Sequence, residues 1–252
     1  MKENRYDDEV FFEKYSEMPR SKEGLLAAGE WDTLRALLPD FAGKRVLDLG
    51  CGYGWHCVYA AQQGAASVVG VDLSQRMLEV AKSKTDSPKV RYIRAAMEDA
   101  EFPDGSFDVV LSSLALHYVE SFEVIAQKVS RFLRPGGSFV FSAEHPVFTA
   151  YGTQDWLYDA QGKIVCFPVD NYSNEGRRVA HFLGEEVVKY HKTLTTYLNG
   201  LLTSGFELKN IVEPQPPQRL LDTVPGMRDE MRRPMMLILK ARKPRRSGRE
   251  QE

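Results

Sequence analysis

The feature that most constrains this 252-residue chain is a regular alternation of short β-rich runs and helical runs between residues 45 and 143. Arg45–Leu49 ends in glycines, 55–63 reads as a helix stopped by Gly64, and Ser67–Asp72 is a second β-rich run. Ser74 caps a helix to about Lys84, Val90–Arg94 is a third strand, and 107–112 a fourth after the Asp104-Gly105 turn. A helix over 119–133, a turn at Pro135-Gly136-Gly137 and a fifth strand over 138–143 complete the series. Such alternation predicts an α/β fold, a Rossmann-like, mostly parallel sheet with helices on both faces. The 43% apolar and 27% charged composition supplies the two buried faces that this sheet requires.

The flanks are less regular. Residues 8–38 read as two helices broken near Pro19 and Gly24, the second running from Leu25 to Leu38. Between 146 and 190 the period is lost while aromatics accumulate, which reads as an insertion over the carboxyl edge of the sheet. A helix over 192–204 and strands over 206–213 and 234–240 follow. The expected organisation is an amino-terminal helical cap (1–43), a main domain (44–145 and 191–241), a lid insertion (146–190) and a disordered basic tail (242–252). Residues 1–30 carry a net charge of −3 and 240–252 carry +4, while the whole chain sums to −2 and so is no globally basic nucleic-acid binder. Three cysteines without a CxxC exclude a cysteine-rich zinc site, and no metal is expected. The charged start lacks the apolar core of a secretion signal, and no apolar run approaches the ~18 residues of a membrane span. The expectation is a cytoplasmic protein.

The first strand leads into Gly50-Cys51-Gly52-Tyr53-Gly54, where missing side chains let a ligand approach the backbone. In the dinucleotide fingerprint GxGxxG the third glycine comes one residue later; Trp55 stands there in this chain. Asp48 precedes the turn and Asp72 ends the second strand, where a carboxylate can accept both hydroxyls of a ribose. A helix-capping acid is the plainer reading of Asp72.

VLDLGCGYG, VGVDLS, FPDGSFDVVLSSLALHYV and LRPGGSFVFS, in this order and spacing, resemble the motifs of class I S-adenosylmethionine-dependent methyltransferases of the small-molecule type, similar to those of ubiquinone and menaquinone biosynthesis (methyltransferase type 11). The resemblance covers 44–143 closely, 192–241 in architecture only, and 146–190 not at all. It implies a seven-stranded sheet with an antiparallel last strand, S-adenosylmethionine as cofactor, and methyl transfer to an O, N or C nucleophile of a small molecule. It implies that Gly50, Cys51, Gly52 and Gly54 pack against the cofactor, that Asp48 organises the loop and the cofactor's amino group, and that Asp72 binds the ribose, with Leu73 and Met77 against adenine. The family's adenine-contacting acid has no counterpart at Ala95-Ala96-Met97, so the backbone of Ala96 and Met97 or the side chain of Glu98 is expected to substitute. Ser112, Ser113 and Leu114 should line the methionine side. His56, Tyr15 and Arg20 are candidates for the cofactor carboxylate.

A base is needed where the nucleophile arrives protonated. His117, His145 and His191 are the candidates, with a hydrogen-bonded structural histidine as the alternative for each. Cys51, small and between glycines, has no base near it in sequence and is not expected to be a nucleophile. Tyr151, Trp156, Phe167 and Tyr172 are the expected walls of an acceptor pocket for an aromatic or apolar substrate; a secondary core is the alternative. Two other functions use the same residues. A nicotinamide-dependent oxidoreductase is disfavoured by Trp55 and Asp48, and a non-catalytic S-adenosylmethionine sensor would lack an acceptor pocket beside the methyl group.

Overall fold

In the computed structural model, residues 4–245 are described. Three short helices come first: α1 (Glu9–Ser16), α2 (Pro19–Glu23) and α3 (Trp31–Leu37). Asp8 caps α1 by accepting the Phe11 N–H at 3.0 Å, and Pro19 opens α2, where its missing N–H is no loss. The helix expected from Leu25 to Leu38 is shorter than its apolar spacing suggests. A 3₁₀ turn at Gly24–Ala27 and an extended Ala28 come before α3. Gly24 has φ +70°, and a Cβ there would stand 3.0 Å from the Trp55 ring, so the chain bends where only glycine fits against that indole.

The central unit follows as β1 (Arg45–Leu49), α4 (Trp55–Gln62), β2 (Ser67–Asp72), α5 (Gln75–Ser83), β3 (Val90–Arg94), β4 (Phe107–Ser113), α6 (Phe122–Phe132) and β5 (Leu133–Glu144). The insertion holds α7 (Pro146–Ala150) and two hairpins, β6 (Leu157–Tyr158) with β7 (Ile164–Cys166) and β8 (Gly176–Phe182) with β9 (Glu185–His191). Then come α8 (Leu194–Thr203), β10 (Glu207–Val212), α9 (Gln218–Thr223) and β11 (Met236–Arg242). Seven strands form one sheet in the order β10-β11-β5-β4-β1-β2-β3, in which β11 alone runs antiparallel to the others. This is the Rossmann-like fold with the antiparallel last strand.

The strand period of two sends successive side chains to opposite faces. Val46, Val68 and Val109 pack with Cys57 and Ala60 of α4 on one face. Leu47, Leu49, Phe139 and Phe141 pack with Phe122, Ile125 and Val129 of α6 on the other. Each large side chain buried here stabilises the fold by about 1.5–3 kcal/mol. Strand order reverses between β1 and β4, which opens the crevice at their carboxyl ends where ligands of such sheets bind.

Three expectations are corrected. Residues 135–137 are not a separate turn but a bulge within β5: Phe107 pairs with Leu133 and Val109 with Ser138. The Gly136 N–H and Gly137 carbonyl bond the backbone of Lys243 at 2.9 Å each, so the final strand holds the bulge. Residues 146–190 are not irregular, because β8 and β9, of seven residues each, pair along their whole length. Their alternation was hidden because both hairpin faces mix charge and apolar groups. Ordered structure also continues past 241. Arg242 ends β11, and Lys243 Nζ donates to the carbonyls of Ser130 (2.7 Å) and Leu133 (2.8 Å) at the end of α6. Residues 246–252 of the basic tail lie outside the described residues.

Candidate active site

Between β1 and α4 the glycine turn is tied down by its own backbone. Gly50 N–H and Cys51 N–H donate to the Val71 carbonyl at 2.8 and 3.0 Å, and Gly54 N–H to the Cys51 carbonyl at 2.8 Å. Gly50 has φ +74°, and a Cβ on it would meet the Ala115 Cβ at 2.3 Å. Gly50→Ala is therefore expected to destabilise the fold by about 2–4 kcal/mol through left-handed strain and overpacking, seen as a lower midpoint in urea. Gly52 is different: a Cβ there would meet nothing within 4 Å, so its backbone borders open space.

Asp72 serves this turn. Oδ2 accepts the Gly52 N–H at 2.8 Å and Oδ1 the Ser74 N–H at 2.9 Å. Burial raises its pKa against the pull of these N–H groups. The helix cap beside it is a separate group, since Ser74 Oγ accepts the Met77 N–H at 3.1 Å. Both readings of this region thus hold at once, with Ser74 as the cap and Asp72 as the holder of the turn.

A cavity of about 320 Å³ opens beside Asp72, lined also by Gly50, Leu73, Ala96, Met97 and Glu98. A second, of about 500 Å³, is lined by Tyr15, Arg20, Cys51, Gly52, His56, Ser113, Leu114 and His117. Tyr6 and Tyr118 line both, and their hydroxyls lie 2.9 Å apart. Leu114 adopts φ +50°, held by its N–H bonds to the Ser142 carbonyl (2.9 Å) and Oγ (3.1 Å). Strain of this kind in a non-glycine residue is stored at functional sites.

Other expected residues stand behind these walls. Asp48 is sealed under the turn, where Cys57 Sγ donates to Oδ2 at 3.4 Å and Oδ1 has no partner. Burial raises its pKa to about 7. Gly54 starts α4, Met77 is buried in α5 away from both cavities, and Ser112 Oγ donates to the Leu49 carbonyl at 2.7 Å, locking β4 to β1. Burial pushes the Cys51 thiol up to about 11, which suits a packing residue and not a nucleophile.

The histidines separate. His117 alone of the three expected bases lines the cavity. Burial lowers its pKa to about 4, and Lys189, Lys192 and Arg20 push the same way against Glu144. Its Nδ1 accepts the Glu144 N–H at 3.4 Å, which puts the proton on Nε2. His145 is a helix cap, its Nδ1 accepting the Val147 N–H at 3.0 Å and its Nε2 lying 2.9 Å from Glu213. His191 bonds Thr149 Oγ1 at 2.7 Å and the Tyr172 carbonyl at 2.8 Å, so both ring nitrogens are engaged. His56 packs edge-on to Trp31, and burial followed by Arg20 lowers its pKa to about 3.

The expected aromatic walls are corrected as well. Tyr151 is 43% exposed, and Tyr172 Oη receives the Leu194 N–H at 3.1 Å. Trp156 and Phe167 surround the Arg233 guanidinium together with Phe148, at 4.4, 4.2 and 4.4 Å. Those rings clamp the insertion to the segment before β11 and do not line the cavity, Phe148 excepted. The insertion instead contributes Phe148, Gln154, Phe182 and Lys189. Lys189 Nζ donates to Glu144 Oε1 at 2.6 Å and Gln154 Oε1 at 2.8 Å, and Gln154 Nε2 donates to Glu144 Oε2 at 2.6 Å. Sequence reasoning missed this closed polar ring, as it missed Tyr6 and Glu30. Glu185–His191 puts Val187, Lys189 and His191 on one buried face, and its mix of apolar and charged groups left no signal in the sequence.

Comparison with known proteins agrees with this geometry. Residues 47–141 match a family model described as a methyltransferase domain. A solved Mesorhizobium loti S-adenosylmethionine-dependent methyltransferase is 42% identical, covers 87% of this chain and all of its own, and superposes with a TM-score of 0.80. This chain belongs to the class I S-adenosylmethionine-dependent methyltransferases. A Listeria monocytogenes protein described as a candidate member is 55% identical over 87% of this chain and 99% of its own, with a TM-score of 0.83. A Haemophilus influenzae relative is 33% identical over 94% of this chain and 96% of its own length. The methyltransferase is therefore an enzyme with S-adenosylmethionine as cofactor, and the oxidoreductase and sensor readings are set aside. Its residues fit that cofactor: Gly52 borders open space, and the Asp72 carboxylate lies between the turn and the first cavity. Among the described residues no cluster of His, Cys, Asp or Glu is arranged for a metal ion, and no helix is long and apolar enough to cross a membrane.

Proposed function

We propose that the methyltransferase acts on a small, largely apolar or aromatic acceptor that enters the second cavity, with the cofactor spanning from the first cavity into it. The observation that carries this reading is the pair Tyr6 and Tyr118, which line both cavities and so mark their junction. In this reading Asp72 receives the ribose hydroxyls, because a carboxylate offers about four acceptor sites and the backbone N–H groups of Gly52, Leu73 and Ser74 do not use them all. Leu73, Met97 and Glu98 surround the adenine, with the backbone of Ala96 and Met97 standing in for the missing acid. Arg20 and Tyr15 close over the carboxylate end.

The cofactor supplies a methyl group already activated on a sulfonium. The chain's work is then to orient the acceptor in line and to exclude water. Met18, Met227, Met235 and Met236 give the second cavity a soft apolar wall that adapts to an acceptor's shape. His117 lines that space with Nε2–H 3.9 Å from Glu144 Oε1, and it is neutral at pH 7 because its pKa is about 4. It positions an acceptor atom; with Nδ1 occupied it does not abstract a proton. The amino-terminal segment and the insertion form the roof, joined where Lys14 donates to Glu185 at 2.6 Å.

The test is incubation with methyl-labelled cofactor and a fractionated metabolite extract. Label is expected in an organic-soluble small molecule. Label found only in protein or nucleic acid would overturn the acceptor class.

A further inference from the structure

The amino-terminal bend leaves a buried charge incompletely satisfied. Glu30 is 1% exposed and borders the second cavity. Its Oε1 takes Arg20 Nη2 at 2.9 Å, while Oε2 is buried and has no partner. A carboxylate oxygen buried without a donor carries a desolvation cost that a ligand can remove. Arg20 Nη2 also donates to Ser113 Oγ at 3.2 Å, which ties the pair to the carboxyl end of β4. Both contacts use that single nitrogen. Trp55 Nε1 is a second unpartnered group, a donor, on the same cavity. One wall therefore offers an unfilled anionic acceptor beside an unfilled donor and the Arg20 guanidinium.

We propose that Glu30 and Arg20 clamp the amino-acid end of the cofactor as a zwitterion, Glu30 Oε2 taking the α-ammonium and Arg20 the α-carboxylate. This rests on the placement of the cofactor argued above and extends it to a residue that no motif marks. A ligand with one charge alone would leave one half of the wall unmatched. His56 on the same cavity, its pKa lowered to about 3 by burial and then by Arg20, is neutral and adds no competing cation.

The test compares three ligands on the full-length protein and its Glu30→Gln variant by titration calorimetry. S-adenosylhomocysteine carries both charges, its deaminated analogue keeps only the carboxylate, and 5′-methylthioadenosine has neither. Glu30→Gln is expected to weaken S-adenosylhomocysteine at least tenfold, while the other two change less than threefold. Unchanged S-adenosylhomocysteine affinity would overturn the clamp and leave Glu30 as a partner of Arg20 only. Equal weakening of the deaminated analogue would also overturn it, since Glu30 would then act through Arg20. A parent protein that binds none of the three would instead defeat the cofactor placement itself.

Discussion

Asp72→Ala is expected to weaken S-adenosylhomocysteine binding by about 30- to 150-fold, or about 2–3 kcal/mol, the value of charge-assisted hydrogen bonds lost from a buried site. Two effects add. With the cofactor placed as proposed, the ribose loses its acceptor, and the Gly52 N–H loses the oxygen that holds the turn in its open form. The sheet should survive, because Asp72 ends its strand and Ser74 still caps α5 through the Met77 N–H. Calorimetry with circular dichroism at matched temperature separates the two. Retained affinity in a folded variant would reduce Asp72 to a backbone clamp and defeat the ribose assignment.

Asp48→Asn is expected to change how stability depends on pH. The folded pKa of Asp48 is raised to about 7 by burial, above the unfolded value of 3.8. Its contribution is thus present below pH 3.8 and lost as pH rises towards 7. His56 and His117 have the opposite sign. Their folded pKa values fall to about 3 and about 4 from 6.5, so their contribution is present above pH 6.5 and lost as pH falls. Between pH 4.5 and 6.5 the aspartate offsets one of the two histidines. The amide introduced by Asp48→Asn keeps an oxygen for the Cys57 thiol and removes that offset. The variant should lose stability on acidification by about 1.4 kcal/mol per pH unit more steeply than the parent, about 3 kcal/mol across the window. Urea unfolding at several pH values reads the difference directly, and His145 and His191, lowered in both proteins, cancel from it. Parallel stability curves would mean that Asp48 titrates as an ordinary carboxyl.

Both predictions concern residues that motif reading marked, yet their chemistry comes from different levels. The glycine turn, Asp72 and the strand-helix alternation were legible because each depends on local geometry. A period of two, a capping Ser74 and a residue able to take φ +74° are properties of a few consecutive residues. The order of four motifs then determined the fold class and the cofactor.

What lines the second cavity was decided only by tertiary structure. Tyr6, Glu30, Glu144, Lys189 and Met235 lie far apart in the chain, and no spacing rule brings them together. Composition suggested the insertion's aromatics as walls, but Trp156 and Phe167 found a better partner in Arg233, 66 residues beyond Phe167. His145 and His191 were plausible bases by position. Folding placed a helix start beside one, which took its Nδ1, and Thr149 with the Tyr172 carbonyl beside the other, which took both of its ring nitrogens. Sequence determined most elements of the central sheet and the glycine turn, because those follow from short-range backbone preference. The identity of the groups facing an acceptor follows from long-range packing and from which buried polar atoms find partners, and that is settled only when the chain closes on itself.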